Sequence, residues 1–233
     1  MMDQVPKHIG IIMDGNRRFS AKLMMKPWKG HEWGAKKLAT VLEWCKEFDI
    51  REITVYTFSV QNFTRPKDEF EYLMKIFLDN FDKLKTDKRI FDSKIRINVI
   101  GRLNLFPPEV QARLKEIMEL TKNHDRYTIN FAMAYGGREE VIDATIRIAE
   151  KVKEGTLDIS QINEEVFKEN LYLSDEPELV IRTGGEHRTS NFLAYQAAYS
   201  EYIFVEKMWP EFEKEDFKAC LAEYASRKRR FGR

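Results

Sequence analysis

Residues 9–18 read Ile-Gly-Ile-Ile-Met-Asp-Gly-Asn-Arg-Arg, an apolar run that passes directly into a charged and polar loop. The apolar half is short and rich in isoleucine, which predicts a buried strand over Ile9–Met13. Similar runs recur along the chain, and longer segments of helical spacing separate them. This alternation predicts an α/β fold with a mainly parallel sheet. The predicted strands are Ile9–Met13, Glu52–Phe58, Ile95–Ile100, Thr128–Ala132, Leu179–Ile181 and Tyr202–Val205.

Two intervening segments have the spacing of amphipathic helices. Trp33–Phe48 carries apolar residues on one face, and Asp68–Lys85 repeats Leu73, Phe77 and Phe81 at intervals of four. A further helix start is predicted at Pro107 and Pro108, and a surface helix over Asn163–Asn170. We find no linker, repeat or low-complexity segment, so we expect residues 1–233 to form a single domain.

The composition is that of a soluble globular protein, with 43% hydrophobic and 33% charged residues. The apolar runs are far shorter than the roughly 20 residues of a membrane span, and no signal peptide is recognisable, so we expect a cytoplasmic protein. The formal net charge of +1 gives no general reason to expect nucleic-acid binding. Cys45 and Cys220 are too few for a disulfide framework and lack the spacing of a zinc site.

The loop after the first predicted strand, Asp14-Gly15-Asn16-Arg17-Arg18, has the composition of a polyphosphate site. A carboxylate suits magnesium, the glycine permits close backbone approach, and guanidinium groups suit phosphate oxygens. An ordinary Asp-Gly turn remains an alternative. A phosphatase with an aspartyl nucleophile is disfavoured, because it normally carries a second Asp where Asn16 stands.

The strongest phosphate signal is the loop Arg182–Asn191, which combines two arginines, two glycines and hydroxyl groups after a predicted strand. Arginine binds phosphate oxygens in pairs, and a glycine-rich turn supplies backbone donors. The loop lacks the lysine of a nucleotide-binding P-loop and the spacing of a dinucleotide fingerprint, so neither ATP nor NAD is indicated.

Four other features are ambiguous when each is taken alone. The loop Ser59–Pro66 either serves a site or caps the next helix. Glu201 is either a partner for an arginine or a metal ligand. His31 has no second histidine at zinc-protease spacing and is an ordinary helix-start residue on that reading. The basic run Ala225–Arg233 is either a solvated helix end or a phosphate-binding or membrane-facing tail.

In their order along the chain, these motifs resemble the undecaprenyl and dehydrodolichyl diphosphate synthase family of cis-prenyltransferases. The resemblance spans nearly the whole chain, and the ordered set is far more specific than any single motif. The segments that carry it are His8–Arg18, Gly30-His31, Phe58–Arg65, Tyr135–Arg138, Arg182–Asn191, Tyr199–Glu201 and Trp209-Pro210.

The resemblance implies a central sheet of six strands surrounded by helices, a hydrophobic product tunnel, Mg²⁺ as cofactor and, most simply, a homodimer. It implies transfer of a prenyl group from an allylic diphosphate to isopentenyl diphosphate. The hydrophobic product allows peripheral membrane contact. Segments such as Phe70–Phe81 fit a tunnel wall, although ordinary core is the simpler interpretation of their pattern. The bulk of Phe77 and Phe81 favours a shorter tunnel.

The resemblance also implies roles for individual residues. Asp14 is the magnesium ligand on which activity depends most, and Glu201 completes the metal site. Ser59 and Asn62 assist proton removal from the acceptor. The residues implied to surround the substrates are Gly15, Asn16, Arg17, Arg18, Phe19, His31, Phe63, Arg65, Arg182, Arg188, Ser190, Arg230 and Gly232. Arg230 and Gly232 belong to an Arg-x-Gly motif that reaches the partner subunit.

Three alternatives remain beside chain elongation. Pro27 stands where bacterial members often carry a diphosphate-binding arginine, so the acceptor could instead be another molecule such as an alcohol. A non-catalytic partner subunit is disfavoured, because such chains typically lose the Asp-Gly-Asn loop that is intact here. A trans-type prenyltransferase is disfavoured too, because that class needs paired Asp-rich motifs and the sequence contains no Asp-Asp pair.

Overall fold

Six parallel strands form the central sheet of the computed structural model, which describes residues 5–227 apart from the side chain of Pro27. The strands are β1 (His8–Ile12), β2 (Glu52–Ser59), β3 (Ile95–Ile100), β4 (Tyr127–Tyr135), β5 (Leu179–Thr183) and β6 (Glu201–Val205). Their order across the sheet is β3-β4-β2-β1-β5-β6, and every neighbouring pair is parallel. The predicted α/β class and all six predicted strands are confirmed. The largest difference is β4, which extends three residues beyond Ala132 because Met133, Ala134 and Tyr135 are also buried.

Helices connect the strands and cover the sheet. They are α1 (Asn16–Lys22), α2 (Gly30–Glu47), α3 (Lys67–Leu84), α4 (Lys88–Asp92), α5 (Pro108–Thr121), α6 (Gly137–Lys153), α7 (Glu164–Glu169) and α8 (Lys214–Ser226). The predicted helix over Asp68–Lys85 is α3, Pro108 is the first residue of α5, and Asn163 caps α7 by accepting from the Val166 N–H. Helix α2 begins at Gly30, three residues before the predicted start, because its glycines lie against α1.

Apolar side chains fill both sides of the sheet, as an all-parallel sheet requires. The larger cluster joins alternate residues of the strands, such as Ile9 and Ile11 of β1, to the buried faces of α2, α3, α5 and α8. The smaller cluster lies on the other side and includes Ile12, Ala132 and Phe192. Together the two clusters form the core of a single α/β domain. Fully burying a large apolar side chain contributes roughly 1.5–3 kcal/mol, so these clusters supply most of the gross stabilisation.

The position of β1 determines where the polar loops meet. It pairs with β2 on one side and β5 on the other, with Ile12 opposite both Tyr56 and Arg182. The segments that follow these three strands therefore leave the sheet at one edge. In open parallel sheets, ligands bind outside this carboxyl edge, near the strand where the chain changes direction across the sheet.

No helix within residues 5–227 is both long and apolar enough to cross a bilayer. Cys45 and Cys220 are buried free thiols, as expected of core residues.

Candidate active site

Asp14 lies at the carboxyl edge of the sheet, two residues beyond β1, where several donors surround its carboxylate. The Gly15 N–H donates to Oδ1 at 2.6 Å, Arg182 Nη2 donates to Oδ2 at 2.8 Å, and Arg18 Nη2 lies 3.3 Å from Oδ1. Partial burial alone would raise the pKa of Asp14. The hydrogen bond and charge of Arg182, the Gly15 N–H and the charge of Arg18 outweigh that effect and lower the pKa, so Asp14 is ionised at neutral pH.

The backbone holds this carboxylate in place on two sides. The Asp14 carbonyl accepts from the Trp209 N–H and from the Thr183 hydroxyl, each at 2.9 Å. Gly15 begins α1 with φ of 103°, and a Cβ at this position would lie 2.7 Å from Cβ of Met208. Only glycine combines that backbone conformation with that closeness, so the Asp-Gly pair is tied to the geometry of the loop.

Arg182 links the first polar loop to the third. Its side chain is nearly fully buried and bonds Asp14 through Nη2, while Nη1 donates to Ser190 Oγ at 2.7 Å and also to the Arg188 carbonyl. Because a guanidinium is planar and rigid, this contact sets the spacing between the Asp14 loop and the Arg188–Ser190 segment. The structure thus brings Asp14, Arg182, Arg188 and Ser190 together.

A second set of polar side chains lies near Asp14: Arg17 on α1, His31 on α2, Arg65 just before α3 and Glu69 on α3. Arg65 donates from Nη1 to Glu69 Oε1 at 2.8 Å and lies 3.4 Å from His31 Nε2, and Arg17 Nη2 lies 3.7 Å from Glu69 Oε2. Burial and the positive charges of Arg65 and Arg17 lower the pKa of His31 to about 4. His31 is therefore neutral at pH 7 and offers a ring nitrogen rather than a charge.

A polar, strongly basic cavity of about 390 Å³ lies beside Asp14. Its ionised residues are Asp14, Arg17, Arg18, Arg65, Glu186 and Arg188, four arginines against two carboxylates and hence a net charge of +2. Gly15, Asn16 and His31 also line it. An excess of fixed guanidinium groups in a concave site favours a polyanion such as a diphosphate.

The polar cavity opens into a larger apolar cleft of about 800 Å³, and Asp14, Asn16, His31 and Arg65 line both. The cleft runs between α2 and α3 over the sheet. Its apolar lining includes Ala35, Leu38, Ala39, Leu42, Phe58, Leu73, Ile76, Phe77, Phe81, Leu84 and Phe131. Phe77 and Phe81, which the resemblance implied for a tunnel wall, do line this cleft. The two adjoining spaces therefore match a ligand that has an anionic head group and an apolar tail.

Ser59 and Asn62 line the cleft and also cap the turn that follows β2. The Ser59 N–H donates to Asn62 Oδ1 at 3.0 Å, and the Ser59 side chain accepts from the backbone of Asn62 in return. The capping interpretation thus describes their hydrogen bonds to each other, and both residues also line the cleft.

Several other predicted site residues do not line either space. Phe19 packs its ring edge against Trp33, with centroids 5.8 Å apart, and Phe63 lies behind the cleft against Phe58 at 5.1 Å. Their side chains support the walls rather than forming them. Arg230 and Gly232 lie outside the described residues.

Glu201 lies at the opposite edge of the sheet from Asp14. It opens β6 and pairs in register with Leu179, the first residue of β5, and its Oε2 accepts from Arg227 Nη1 at 2.6 Å. Thr183, at the other end of β5, is four positions after Leu179, a distance of about 13 Å along the strand. Asp14 and Glu201 therefore do not meet within one chain, and the role of Glu201 as a metal ligand stays a prediction.

The residues near Asp14 fit a magnesium ion that a substrate helps to hold. Within residues 5–227, no group of three or more His, Cys, Asp or Glu side chains has the arrangement of a metal site. Mg²⁺ commonly binds through one or two carboxylates together with substrate phosphates, so a single ionised aspartate is compatible with it. Asn16 also lines this cavity, and its buried Oδ1, which lies against Gly34 of α2, accepts no hydrogen bond.

Glu69 and Tyr56 belong to the site and were not identified in the sequence. Glu69 is almost fully buried and forms ion pairs with Arg17 and Arg65. The only feature of the sequence that indicates this role is its spacing of four residues from Arg65. Tyr56 lines the cleft, and its hydroxyl lies 3.3 Å from the Ser190 carbonyl, to which it donates. Because Tyr56 lies within a predicted strand, its sequence pattern does not distinguish it from a core residue.

Comparison with known proteins gives consistent results over nearly the whole chain. The family model described as "Putative undecaprenyl diphosphate synthase" matches residues 12–232. A tritrans,polycis-undecaprenyl-diphosphate synthase (geranylgeranyl-diphosphate specific) of Pyrococcus furiosus is 48% identical, with 98% of this chain and 88% of that protein aligned. The protein of the same name from Methanopyrus kandleri is 46% identical, over 99% of this chain and 86% of its own length.

Two solved structures are similar in fold. Lavandulyl diphosphate synthase from Lavandula x intermedia, crystallised with dimethylallyl diphosphate, superposes with a TM-score of 0.93 at 31% identity, covering 98% of this chain and 99% of that one. The "probable undecaprenyl diphosphate synthase" of Campylobacter jejuni gives a TM-score of 0.82 at 31% identity, covering 99% and 100%.

Proposed function

The chain belongs to the undecaprenyl diphosphate synthase family and is a cis-prenyltransferase, and we propose that it elongates geranylgeranyl diphosphate with isopentenyl diphosphate. One observation carries the proposal: a basic cavity around Asp14 continues directly into an apolar cleft between α2 and α3. That shape matches an allylic diphosphate, with its charged head among the arginines and its tail in the cleft. The donor is taken from the names of the relatives, which are specific for geranylgeranyl diphosphate.

The residues divide between two diphosphates in the proposed complex. Arg65 and His31 line both the cavity and the cleft, Arg17 lines the cavity, and these three would hold the allylic diphosphate. Arg188, Ser190 and Arg182 lie on the other side of Asp14 and would hold isopentenyl diphosphate. Two polyanions in one cavity repel each other, so an excess of arginines is needed to offset that repulsion.

Transfer breaks the allylic carbon–oxygen bond, and its electron pair leaves with the diphosphate. The double bond of isopentenyl diphosphate supplies the electrons for the new carbon–carbon bond, and the acceptor then loses a proton, which the departing diphosphate can take up. Arg17, Arg18 and Arg65 stand where negative charge develops on the leaving group, and fixed charges there lower the barrier without reorganising. Ser59 and Asn62 are placed to orient the acceptor, because their side chains are held by the cap and line the cleft.

We include Mg²⁺ in the proposal, which Asp14 would hold together with the diphosphate of a bound substrate. When bound, the ion would neutralise diphosphate charge as a Lewis acid. The ionised state of Asp14 supports this role, because a carboxylate with a lowered pKa remains a ligand throughout the neutral range.

The first test is incubation of the purified protein with Mg²⁺, isopentenyl diphosphate and geranylgeranyl diphosphate, followed by mass spectrometry. A ladder of products rising by one isoprene unit supports elongation. Consumption of the donor without a ladder would point instead to another acceptor such as an alcohol, the alternative that Pro27 raises. Failure to consume the donor would contradict catalysis by this chain alone and favour a non-catalytic subunit.

Asp14→Asn should reduce the rate of ladder formation by at least about 10²- to 10³-fold, since it removes the carboxylate that would hold Mg²⁺ against the reacting diphosphate. Asn keeps the size of the side chain, so the fold should survive, which circular dichroism can check. Asp92→Asn changes an exposed carboxylate at the end of α4 and is the matched control. Retention of full activity in Asp14→Asn would contradict the proposed mechanism.

We also propose that the protein works as a homodimer and contacts membranes peripherally when it releases product. Exposed apolar side chains at Ile142 and Ile146, one turn apart on α6, support a partner surface. The apolar product supports transfer to a lipid phase.

A further inference from the structure

Four large apolar side chains are exposed where α1 passes into α2. Leu23 is 44% exposed, Met24 97%, Met25 40% and Trp33 48%. Trp33 packs against the ring of Phe19, with centroids 5.8 Å apart, and Phe19 lies one turn before Leu23, whose N–H donates to the Phe19 carbonyl. Residues four positions apart on a helix share a face, so the four exposed side chains lie next to one another.

The fold gains little from the side chain of Met24. Its backbone has φ of 54°, in the left-handed region that glycine and asparagine adopt more readily than methionine. A side chain that is almost fully exposed also buries no apolar area. Stability alone would favour glycine or asparagine at this position, so the apolar side chain points to a contact outside the chain.

Lysine side chains accompany the aromatic rings of this region. Lys26 Nζ lies 5.3 Å from the centroid of the Trp28 ring, and Lys36 Nζ lies 5.8 Å from that of Trp33. Lysine and tryptophan together are typical of protein surfaces at a membrane–water boundary. There the ammonium group meets anionic head groups, and the indole lies between the polar and apolar layers.

The charges around the exposed apolar residues have a positive excess. They are those of Lys22, Lys26, Lys29, Lys36, Glu32 and Glu211, four lysines against two carboxylates and hence a net charge of +2. Each carboxylate is paired, Glu211 with Lys22 at 2.6 Å and Glu32 with Lys29 at 3.0 Å. The excess therefore lies at Lys26 and Lys36. We call the four exposed apolar residues and these four lysines the α1–α2 patch.

The α1–α2 patch borders the apolar cleft. Lys36 lines the cleft, and its Nζ also lies over the ring of Trp33. Lys29 lines the cleft as well. A ligand tail in the cleft is therefore separated from the patch by a single layer of side chains of α2. An apolar product that leaves the cleft on this side would meet the surface that the patch contacts.

We propose that the α1–α2 patch docks on a bilayer that contains anionic lipids, with Met24 and Met25 at the boundary between head groups and acyl chains. The inference rests on the proposed function, because the docked bilayer would receive the apolar product. A protein partner fits the patch less well, since a stable protein interface buries roughly 800 Å² and about 20–30 residues on each side. The patch offers eight residues, and its positive charge complements an anionic lipid surface.

Binding to lipid vesicles in the absence of substrates tests the inference. The wild-type protein should co-sediment with vesicles of phosphatidylcholine and phosphatidylglycerol, and much less with vesicles of phosphatidylcholine alone. Of the four tryptophans, Trp44 and Trp209 are buried. Quenching of tryptophan fluorescence by brominated acyl chains should therefore come from Trp28 and Trp33.

Two substitutions in the patch separate binding from folding. Lys26→Gln should weaken vesicle binding by about 5-fold, the effect of one lysine near an anionic membrane. Met24→Asn should weaken it too while keeping or raising the melting temperature, because asparagine suits the left-handed backbone. Neither residue lines the cavity or the cleft, so both variants should form the product ladder at the wild-type rate when no vesicles are present.

Matched controls come from another part of the surface. Ile159, between α6 and α7, is 71% exposed, and Lys153 is exposed at the end of α6. Ile159→Asn and Lys153→Gln should bind vesicles as the wild type does. Wild-type binding by both patch variants, or an equal loss of binding in the controls, would overturn the inference.

Two further outcomes are distinguishable. If the α1–α2 patch joins two copies of the chain instead, Met24→Asn would lower the oligomeric state and the wild type would not bind vesicles, which would also overturn the inference. A protein that binds vesicles through the patch but forms no product ladder would contradict the proposed function alone, because binding is measured without substrates.

Discussion

Glu69 shows how a single buried carboxylate organises the polar cavity. It is in the first turn of α3, only 1% exposed, and it contacts both Arg65 and Arg17. A buried charge is stable only when partners offset its desolvation. Here the partners are two arginines that also face the substrate cavity, so Glu69 positions groups that would otherwise be mobile.

Glu69→Gln should lower kcat by roughly 10-fold while leaving KM for the allylic diphosphate unchanged or lower. The added net positive charge favours ground-state binding of a diphosphate, but the loss of the ion pairs removes the fixed geometry that the transition state needs. Steady-state kinetics with each substrate varied in turn separates the two parameters. Breaking a buried pair costs about 3–5 kcal/mol, so a lower melting temperature is expected as well.

Glu71→Gln is the control for this substitution. Glu71 lies two residues further along α3, where it is exposed and 3.7 Å from Lys67. It should leave both kinetic parameters and the melting temperature near the wild-type values. A rise in KM with kcat unchanged in Glu69→Gln would contradict a positioning role and indicate that Glu69 affects only binding.

Charged residues that directly follow predicted strands are the site residues that the sequence predicts most readily. Asp14, Arg182 and Arg188 follow predicted strands, and the structure brings them to one edge. Glu69 escaped notice because an acidic residue in the first turn of a helix is commonplace, favoured there by the helix dipole. Phe19 and Phe63 were predicted to be site residues but line neither the cavity nor the cleft. The position of a residue in a motif does not show in which direction its side chain points.

At the level of elements, the crossing of α1 and α2 determines the shape of the cavity. Gly30 and Gly34 of α2 lie against Asn16 at the start of α1, and a Cβ on Gly34 would lie 2.4 Å from Asn16 Oδ1. Glycine is a poor helix former, and the predicted helix began at Trp33, three residues after Gly30. Because Gly30 and Gly34 have no side chain, α1 and α2 can pack closely together behind the Asp14 loop.

Gly34→Ala should therefore destabilise the protein and reduce its activity, against the trend of helix propensity. Alanine would gain about 1 kcal/mol as a better helix former, but overpacking against Asn16 costs typically 1–3 kcal/mol and displaces a residue of the cavity. Chemical denaturation and the rate of product formation measure the two effects. Thr40→Ala, on an exposed position of α2, is the control for propensity alone and should be neutral or stabilising. A stabilised, fully active Gly34→Ala would contradict the close packing of α1 and α2.

At the scale of the whole molecule, the strand order explains why three distant loops form one site. Because β1 lies between β2 and β5, segments more than 100 residues apart in sequence leave the sheet side by side. Sequence pattern predicted the strands, and a rule for parallel sheets predicted the edge. The register of β5 with β6 is what places Glu201 at the opposite edge of the sheet from Asp14. Hydrophobic periodicity predicts where strands lie in the sequence but not how two strands are paired.

The same architecture predicts how the fold responds to the proposed metal. The core is formed by apolar side chains on both sides of the sheet, and within residues 5–227 no carboxylate cluster would need a cation to be stable. Removal of Mg²⁺ with EDTA should therefore stop product formation and leave the melting temperature of the ligand-free protein unchanged.

The metal should affect stability only together with a diphosphate. Isopentenyl diphosphate alone, at about 100 times its Kd with Mg²⁺, should add about 2.7 kcal/mol, or roughly 5–10 °C in melting temperature for a chain of this size. EDTA should cancel most of that shift, and Asp14→Asn should lose the same part of it. A fall in melting temperature when EDTA is added to the ligand-free protein would instead reveal a structural cation, and a shift that is independent of Mg²⁺ would show that the arginines bind the diphosphate without metal.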